Sequence, residues 1–218
     1  MTHTTHAFSG AVGLTRRQIV SSLMLGGAAL MLAGCENGSS ADSKSSQFKG
    51  LDISSAKYAQ DFSLPDMNGQ QRSMADFRGK VVAMFFGFVQ CPDVCPTTLA
   101  EMVQVKEMLG ADGDKLQVLF VTVDPERDTA QILKEYLGNF DPSFVALVPT
   151  PEELRTKVAP DFKVYYKKVE GSTPTSYTMD HTAGVLLFDP KGKIRVHCSY
   201  GTPADSIAAD VKTLLAEA

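Results

Sequence analysis

Residues 81–96 of the sequence read VVAMFFGFVQCPDVCP, and their pattern predicts the central elements of the fold. Its first half, residues 81–88, is a continuous apolar run, which is typical of a β-strand that is buried on both faces. The following residues, 97–109, place apolar side chains at helical spacing and end at Gly110, a common helix stop. The stretch therefore predicts a buried strand that runs into a helix, with two cysteines at the junction.

The same alternation of strands and helices continues on both sides of this stretch. Short apolar or alternating runs predict further strands, and a period of about 3.6 residues predicts further helices. The predicted strands are residues 58–64, 116–123, 144–147, 164–169, 184–189 and 194–199, and the predicted helices are residues 129–137 (capped by Asp128), 151–158 and 203–216. Turn signals lie at residues 66–69, with Asn-Gly at the centre, and at residues 190–193. This order predicts an α/β layered fold.

Composition excludes several classes of protein. The chain has 218 residues, of which 44% are apolar and 21% charged, and its formal net charge is −4. A chain with this apolar fraction and so small a net charge is not disordered throughout. A sequence pI of about 5.6 and the absence of basic runs longer than two residues argue against nucleic-acid binding. No unbroken apolar stretch reaches the roughly 20 residues of a spanning helix, which excludes a bundle of such helices.

The first 34 residues have the features of an export signal. They contain no Asp or Glu, carry the basic pair Arg16-Arg17, and continue into an apolar run over residues 19–33 that is too short to span a bilayer. Residues 32–35, Leu-Ala-Gly-Cys, resemble the bacterial lipobox, which implies cleavage before Cys35 and a diacylglycerol on its sulfur. An ordinary signal peptide, with Cys35 there by chance, is the alternative. The two arginines also resemble a twin-arginine signal, so Sec and twin-arginine export are both open.

We therefore predict three parts: a signal peptide with a lipobox (residues 1–34), a lipidated flexible tether (residues 35–54) and a folded head (residues 55–218). The tether is rich in Ser, Gly, Asp and Lys, so it can bury little apolar surface. In this arrangement the head is exported and lipid-anchored to the cell membrane, facing the periplasm or the exterior, and does not span the membrane. The inner and the outer membrane are both compatible with this signal.

Cys91 and Cys95 lie four residues apart at the start of the first predicted helix. Residues at positions i and i+4 share a helical face, so both thiols can reach one metal ion or form one disulfide. The partial positive charge of a helix N-terminus stabilises thiolates and is expected to lower the pKa of the cysteines. The alternative is a pair of buried cysteines that act only as small apolar side chains, but an exported protein rarely keeps such a pair idle.

Two sulfurs make an incomplete metal site, so we expect a third ligand. His181 follows the polar stretch 170–179 and precedes a predicted strand, where a loop can present it to a site. His197 lies within a predicted strand, which fits a structural role. Thiolate and imidazole ligands suit Cu(I) and, by ligand type, zinc. Structural zinc sites use four protein ligands, and the chain has no second close pair of cysteines, so copper is favoured.

Three blocks of sequence, in a fixed order, resemble a known family. Phe86-Gly87-Phe88 precedes the cysteine pair, residues 121–129 read VTVDPERDT, and Asp180-His181-Thr182 precedes a predicted strand. These blocks resemble the SCO/SenC proteins, and the resemblance covers roughly residues 55–216. It implies a thioredoxin-like α/β fold that has a central mixed sheet flanked by helices and an N-terminal hairpin extension.

The resemblance also implies a site and a role. Copper, as Cu(I) or Cu(II), is expected at Cys91, Cys95 and His181, and Asp124 is expected either near that site or as a turn or helix cap. The implied role is to help build the dinuclear copper centre of cytochrome c oxidase, as a copper donor, a thiol reductant or both. The implied partners are the copper-bearing subunit of the oxidase and its other assembly factors.

Two functions follow as alternatives. In the first, the chain is a copper metallochaperone rather than an enzyme, and it passes copper on by ligand exchange. In the second, it is a thiol–disulfide oxidoreductase in which Cys91 attacks and Cys95 resolves, forming a disulfide bond. His181 favours the first, because metal binding needs it and disulfide exchange does not. Cys198 and Met179 are expected to be buried packing residues, although either could approach the site.

Overall fold

The computed structural model describes residues 47–173 and 176–217. The predicted signal peptide, the lipobox with Cys35 and most of the predicted tether lie outside these residues. Within the described part of the chain, no helix is long and apolar enough to cross a membrane.

The strands are β1 (Leu51–Asp52), β2 (Leu64–Pro65), β3 (Gln71–Arg72), β4 (Val81–Gly87), β5 (Leu116–Thr122), β6 (Val145–Leu147), β7 (Tyr166–Glu170), β8 (Tyr177–His181), β9 (Val185–Phe188) and β10 (Ile194–Cys198). The α-helices are α1 (Val94–Leu109), α2 (Ala130–Gly138), α3 (Pro151–Glu153), α4 (Ala159–Phe162) and α5 (Ala204–Ala216), with a π-helical turn (Leu154–Val158) between α3 and α4 and 3-10 turns at Met74–Phe77 and Gly110–Lys115.

Six strands form the central sheet, in the order β1-β10-β9-β4-β5-β6. The strands β4, β5 and β6 are parallel, with α1 and α2 as the crossover helices, whereas β9, β10 and β1 are added antiparallel. The carboxyl ends of β4 and β5 therefore meet at one edge of the sheet. The cysteine pair follows β4 at this edge, and the acidic block with Asp124 follows β5.

The strand β4 is covered on both faces, which explains its unbroken apolar run. Its odd-numbered side chains, from Val81 to Phe85, pack in one core with residues of α1, α2 and α5. Its even-numbered side chains, from Val82 to Phe86, pack in a second core with the α3–α4 segment and the N-terminal hairpin. The predicted α/β class and the mixed sheet flanked by helices are confirmed, and this arrangement is the thioredoxin-like fold that the resemblance implies.

The N-terminal hairpin is present but shorter than predicted. The strands β2 and β3 pair antiparallel around the Asn-Gly turn, and Leu64 is the only residue of the predicted strand 58–64 that is in a strand. Ala59 adopts a left-handed backbone with φ 52°, which interrupts an extended chain. Its N–H donates to the carbonyl of Asp161 at 2.8 Å instead of to a neighbouring strand.

The head begins before residue 55, which corrects the predicted boundary of the tether. Phe48 is only 4% exposed, and β1 pairs with β10 through Leu51 opposite His197. The buried carboxylate of Asp210, on α5, accepts hydrogen bonds from the N–H groups of Lys49 (2.6 Å) and Gly50 (2.8 Å). This short segment has few apolar residues, so composition alone assigned it to the tether.

The sequence predicts that the polar stretch before His181 is a loop, but part of this stretch forms a strand. Residues Tyr177–His181 form β8, which pairs antiparallel with β7 in a separate two-stranded hairpin. Met179 is the buried residue of β8, and its neighbours on either side are exposed. One buried apolar side chain gives too little alternation for a strand to be predicted. The hairpin β7–β8 carries His181 at its end.

Candidate metal centre

The two cysteines lie where β4 gives way to α1. The N–H of Cys91 donates to the carbonyl of Phe88 at 3.2 Å, which turns the chain sharply after the strand. Cys95 lies in the first turn of α1, and its N–H donates to the Cys91 sulfur at 3.4 Å. This hydrogen bond uses a backbone donor that a helix start leaves without an intrahelical partner. Cys95 is buried, whereas Cys91 is only partly buried.

His181 approaches the cysteines from the end of β8. Its Nδ1 lies 3.0 Å from the carbonyl oxygen of Thr182. Because a carbonyl can only accept, Nδ1 is the protonated nitrogen and Nε2 carries the free lone pair. This Nε2 lies 3.7 Å from the Cys95 sulfur. The Phe88 ring packs edge-to-face on the imidazole, with centroids 5.7 Å apart, and so holds its orientation.

The ligand atoms of Cys91, Cys95 and His181 all lie within 4.8 Å of one another. In the part of the chain that the structure describes, this is the one group of three or more His, Cys, Asp or Glu side chains with metal-site spacing. Two sulfurs and one imidazole nitrogen are a soft ligand set that fits Cu(I) and leaves room for a further ligand. The structure thus brings together the three residues that the sequence predicts as ligands.

Burial decides the protonation of Cys95. It raises the pKa of this thiol well above its ordinary value, and the neighbouring Cys91 sulfur raises it further, whereas a backbone hydrogen bond from Phe88 lowers it. The predicted lowering of the pKa by the helix N-terminus is therefore wrong for Cys95, because desolvation outweighs it. A metal ion that binds at this sulfur must displace a proton.

Asp128 supports the loop that leads to Cys91, a role that sequence reasoning missed. Its buried carboxylate accepts hydrogen bonds from the N–H of Val89 (3.1 Å) and the hydroxyl of Thr122 (2.7 Å). Burial raises the pKa of this carboxyl to about 6. Asp128 was predicted to cap the helix α2, but the residue that caps this helix is Thr129. The Thr129 hydroxyl accepts a hydrogen bond from the N–H of Ile132 at 3.3 Å.

Asp124 is not in the ligand group, but its side-chain contacts connect it to both segments that carry ligands. Its buried carboxylate pairs with Arg127 and accepts a hydrogen bond from the Tyr177 hydroxyl at 2.9 Å. Arg127 in turn donates to the side-chain oxygen of Gln90 and to the carbonyl of Tyr177, both at 2.9 Å, and stacks on the Tyr177 ring. Gln90 directly precedes Cys91, and Tyr177 begins the strand that ends in His181. The network therefore ties the two ligand-bearing segments to β5.

The remaining candidates are packing residues. His197 lies in β10 opposite Leu51, and its ring packs against Gly184. Cys198 is 1% exposed and packs in the core that contains α5, and Met179 is buried in the opposite core. As the sequence predicts, Cys198 is a buried strand cysteine and the metal-ligating geometry belongs to His181.

The centre opens to the surface through an apolar mouth. A cavity of about 420 Å³ lies nearby against Asp124 and Tyr177. A second cavity, of about 370 Å³, lies at the centre itself. Its lining is mostly apolar and includes Phe88, Pro92, Tyr165 and Met179, together with Cys91, His181 and the acidic residues Asp93 and Asp180. Tyr165 is 59% exposed at its rim. An ion held by the three ligands can therefore be reached from outside.

The head is similar in sequence to known proteins. The sequence pattern described as SCO1/SenC matches residues 52–216. The mitochondrial SCO2 homolog of Bos taurus is 37% identical over 158 residues, which are 72% of this chain and 59% of that protein. An SCO2-like protein of Rickettsia felis is 37% identical over 142 residues, which are 65% of this chain and 69% of that protein. The matched region thus spans little more than half of the bovine relative.

A solved structure of Bradyrhizobium japonicum ScoI with copper bound is similar in both sequence and fold. It is 39% identical, has a TM-score of 0.66, and the similarity covers 72% of this chain and 99% of that one. Cys91, Cys95 and His181 all lie within residues 52–216, the range that the SCO1/SenC pattern matches. The match to that pattern therefore includes the candidate centre.

Proposed function

The chain belongs to the SCO1/SenC family, and from this membership we propose that it is a metallochaperone that binds one copper ion through Cys91, Cys95 and His181. In this role it helps to assemble the dinuclear copper centre of cytochrome c oxidase. The observation that carries the proposal is the meeting of three soft ligand atoms within 4.8 Å of one another. Copper in the Bradyrhizobium relative supports the choice of metal.

The geometry suits an ion that is held and then passed on. Three protein ligands leave copper open to a fourth ligand from a partner, and the open mouth gives that ligand access. Transfer then proceeds by exchange of one ligand at a time. Because a Cys91–Cys95 disulfide supplies no thiolates, binding requires both thiols to be reduced, which couples delivery to redox state. The partners in this proposal are the copper-bearing subunit of the oxidase and its other assembly factors.

We further propose that the head is exported and held at the membrane by a lipid on Cys35. The leader supports this proposal, since its basic pair, its short apolar run and its Leu-Ala-Gly-Cys end match a lipoprotein signal. A diacylglycerol supplies two acyl chains, which suffice for stable anchoring without a spanning helix. The tether of polar residues between Cys35 and Phe48 lets the head reach a membrane-embedded oxidase.

The first test measures copper stoichiometry and affinity of the purified, reduced protein, by competition with a chelator. The wild type should bind one copper ion, and His181→Ala should weaken binding by about 100-fold or more, because removal of a ligand exceeds the usual cost of disturbing its support. His197→Ala is the matched control, since this histidine lies in β10 outside the ligand group, and it should keep the wild-type affinity.

A thiol–disulfide oxidoreductase is the second candidate, favoured by the pairing of a partly exposed Cys91 with a buried Cys95. In that reaction the Cys91 thiolate attacks a partner disulfide and releases one partner thiolate. Cys95 then displaces the second, which leaves a Cys91–Cys95 disulfide and a partner reduced by two electrons. Disulfide exchange that is unaffected by His181→Ala, in a protein that binds no tight copper, would establish this function in place of the first.

A further inference from the structure

The hairpin β7–β8, which carries His181, has few polar contacts with the rest of the head. Its two strands pair with each other, from Tyr166 opposite His181 to Glu170 opposite Tyr177. Apart from His181 at the centre itself, Tyr177 is the one residue of these strands that forms a hydrogen bond with another part of the head, within the residues that the structure describes. An isolated two-stranded hairpin is marginally stable, so its position depends on such contacts.

Tyr177 is held through its backbone, its hydroxyl and its ring. Its carbonyl accepts a hydrogen bond from Arg127 at 2.9 Å, and its hydroxyl donates to the carboxylate of Asp124 at 2.9 Å. The Arg127 guanidinium lies 3.5 Å from the centre of the ring, and the Lys168 ammonium lies 3.9 Å from it. Asp124 is buried, so its carboxylate is a fixed acceptor. These contacts attach the first residue of β8 to the loop that follows β5.

Packing beneath the hairpin is incomplete. The cavity of about 420 Å³ is lined by residues of the hairpin, of the loop after β5 and of the segment that begins with α3. Met179 is the one fully buried side chain of β7 and β8. An interior filled to the usual protein density would hold the hairpin by packing alone. With this cavity beneath it and one buried side chain, the hairpin depends on the contacts of Tyr177 for its position.

The position of Tyr177 determines where His181 lies, because both residues belong to one strand. Four steps of about 3.3 Å separate them by roughly 13 Å. The register between β7 and β8 is regular over all five residue pairs, so the hairpin is one unit. A displacement at Tyr177 therefore moves His181 as well. The sulfur of Cys95 is only 3.7 Å from the imidazole, so a small displacement is enough to separate the ligands.

We propose that Tyr177 is a positioning residue of the metal centre: its contacts with Asp124 and Arg127 hold the hairpin where the His181 imidazole reaches the two sulfurs. This inference rests on the proposed copper-binding function. The two cysteines lie at the junction of β4 and α1 and do not depend on the hairpin for their position. Without the contacts of Tyr177, only a fraction of the molecules has all three ligands in place, and the apparent copper affinity falls by that fraction.

The test measures the Cu(I) affinity of two variants of the reduced, purified protein by competition with a chelator. Tyr177→Phe keeps the ring and removes only the hydroxyl, and its affinity should fall by about tenfold, since a hydrogen bond to a charged carboxylate is lost. Tyr177→Leu also removes the ring that lies beneath Arg127, and its affinity should fall further. X-ray absorption of the copper-loaded Tyr177→Leu protein should show two sulfur ligands with less imidazole than the wild type, although no ligand has been substituted.

A double-mutant cycle separates positioning from a general effect on the fold. If Tyr177 acts through His181, adding Tyr177→Phe to His181→Ala should not lower the Cu(I) affinity any further. A second fall of the same size in the His181→Ala background would overturn the proposal, because the tyrosine would then act on the fold or on the cysteines. Tyr177→Phe keeps the aromatic packing, so the cycle can be completed even if Tyr177→Leu does not fold.

Tyr58→Leu is the matched control for Tyr177→Leu. Both tyrosines are partly buried and pack against the same core, but Tyr58 lies outside the hairpin. This variant should keep the wild-type Cu(I) affinity and the wild-type ligands. Unchanged affinity in both Tyr177 variants, or full imidazole coordination in Tyr177→Leu, would overturn the positioning role while leaving the copper site intact. Failure of the wild type to bind copper would instead overturn the proposed function, and this inference with it.

Discussion

At the scale of single residues, two of the candidate ligands are oriented by one hydrogen bond each. The Cys91 sulfur accepts the N–H of Cys95, and Nδ1 of His181 donates to the carbonyl of Thr182. Cys95 is fixed by burial instead, at a cost in the free energy of its charged form. The centre therefore combines two ligands held by the backbone with one held by the core.

Asp128 leads to a prediction about pH. Burial raises the pKa of its carboxyl in the folded state to about 6, from 3.8 when unperturbed. Between these pH values the folded protein keeps the proton and the unfolded chain has lost it. This group therefore contributes most stability below pH 3.8, and the contribution falls as pH rises to about 6 and is constant above. One unit of pKa difference corresponds to roughly 1.4 kcal/mol, so the free energy of unfolding falls by about 3 kcal/mol over this range of pH.

Asp128→Asn should remove this dependence, because the amide oxygen can still accept a hydrogen bond but does not titrate. The free energy of unfolding, measured with denaturant from pH 4 to pH 7, should show a gap in favour of the variant that widens up to pH 6. Acidic residues with lowered pKa, such as Asp66 and Asp141, act in the opposite direction but equally in both proteins. A gap that does not change with pH would contradict the raised pKa.

At the scale of elements, the packing of α1 on β4 sets the position of the Cys95 sulfur. Gly87, the last residue of β4, has no side chain at the point where this sulfur and Phe120 meet the strand. The close approach requires glycine, although the backbone there is ordinary. The position of the Cys95 sulfur against β4 therefore depends on the absence of a side chain at Gly87.

Gly87→Ala should disturb this junction. The added Cβ would lie 2.7 Å from the Cys95 sulfur and 2.9 Å from Phe120, so both must move. We expect the free energy of unfolding to fall by about 1–3 kcal/mol, as in other overpacked cores. Copper affinity should fall by about tenfold or more as the thiol is displaced.

Gly138→Ala is the control, because Gly138 lies at the end of α2 and a Cβ there meets nothing within 4 Å. This variant should change neither the free energy of unfolding nor the copper affinity appreciably. Equal behaviour of the two variants would argue against the close approach.

At the scale of the whole molecule, the ligands come from two separate parts of the chain. Cys95 and His181 are 86 residues apart, and they meet because β4 lies in the centre of the sheet while the hairpin β7–β8 bends over its carboxyl edge. The network of Asp124, Arg127 and Tyr177 joins these parts through β5. A bound ion would add a further link between α1 and the hairpin.

The lipid anchor is a prediction about the whole molecule that rests on the sequence. In a bacterial host, radiolabelled glycerol should be incorporated into the wild-type protein, and Cys35→Ser should abolish the label because the acceptor sulfur is gone. Cys198→Ser, which changes a cysteine buried in the head, should keep the label. A wild type without label, or a labelled Cys35→Ser, would rule out lipidation at this residue.

Much of the fold was predictable because burial leaves a clear pattern. Two-sided burial is visible in the continuous apolar run of β4 and in the nearly continuous run of β5, which only Gln117 interrupts. Apolar residues at helical spacing indicated α1 and α5. β8 was missed because one buried methionine among polar residues gives no periodic signal. The early start of the head was missed because a single buried phenylalanine and a distant carboxylate, Asp210, hold that segment.

The types of the ligands could be predicted from the sequence, since two cysteines at positions i and i+4 and a histidine in a predicted loop already indicate a soft metal. The protonation and the support of these ligands depend on tertiary contacts. Burial of Cys95 reverses the pKa change that the helix start predicts, and Asp128 supports the cysteine loop instead of capping a helix. The physical reason is that solvation and hydrogen bonding depend on neighbours that are distant along the chain, and these neighbours are known only once it has folded.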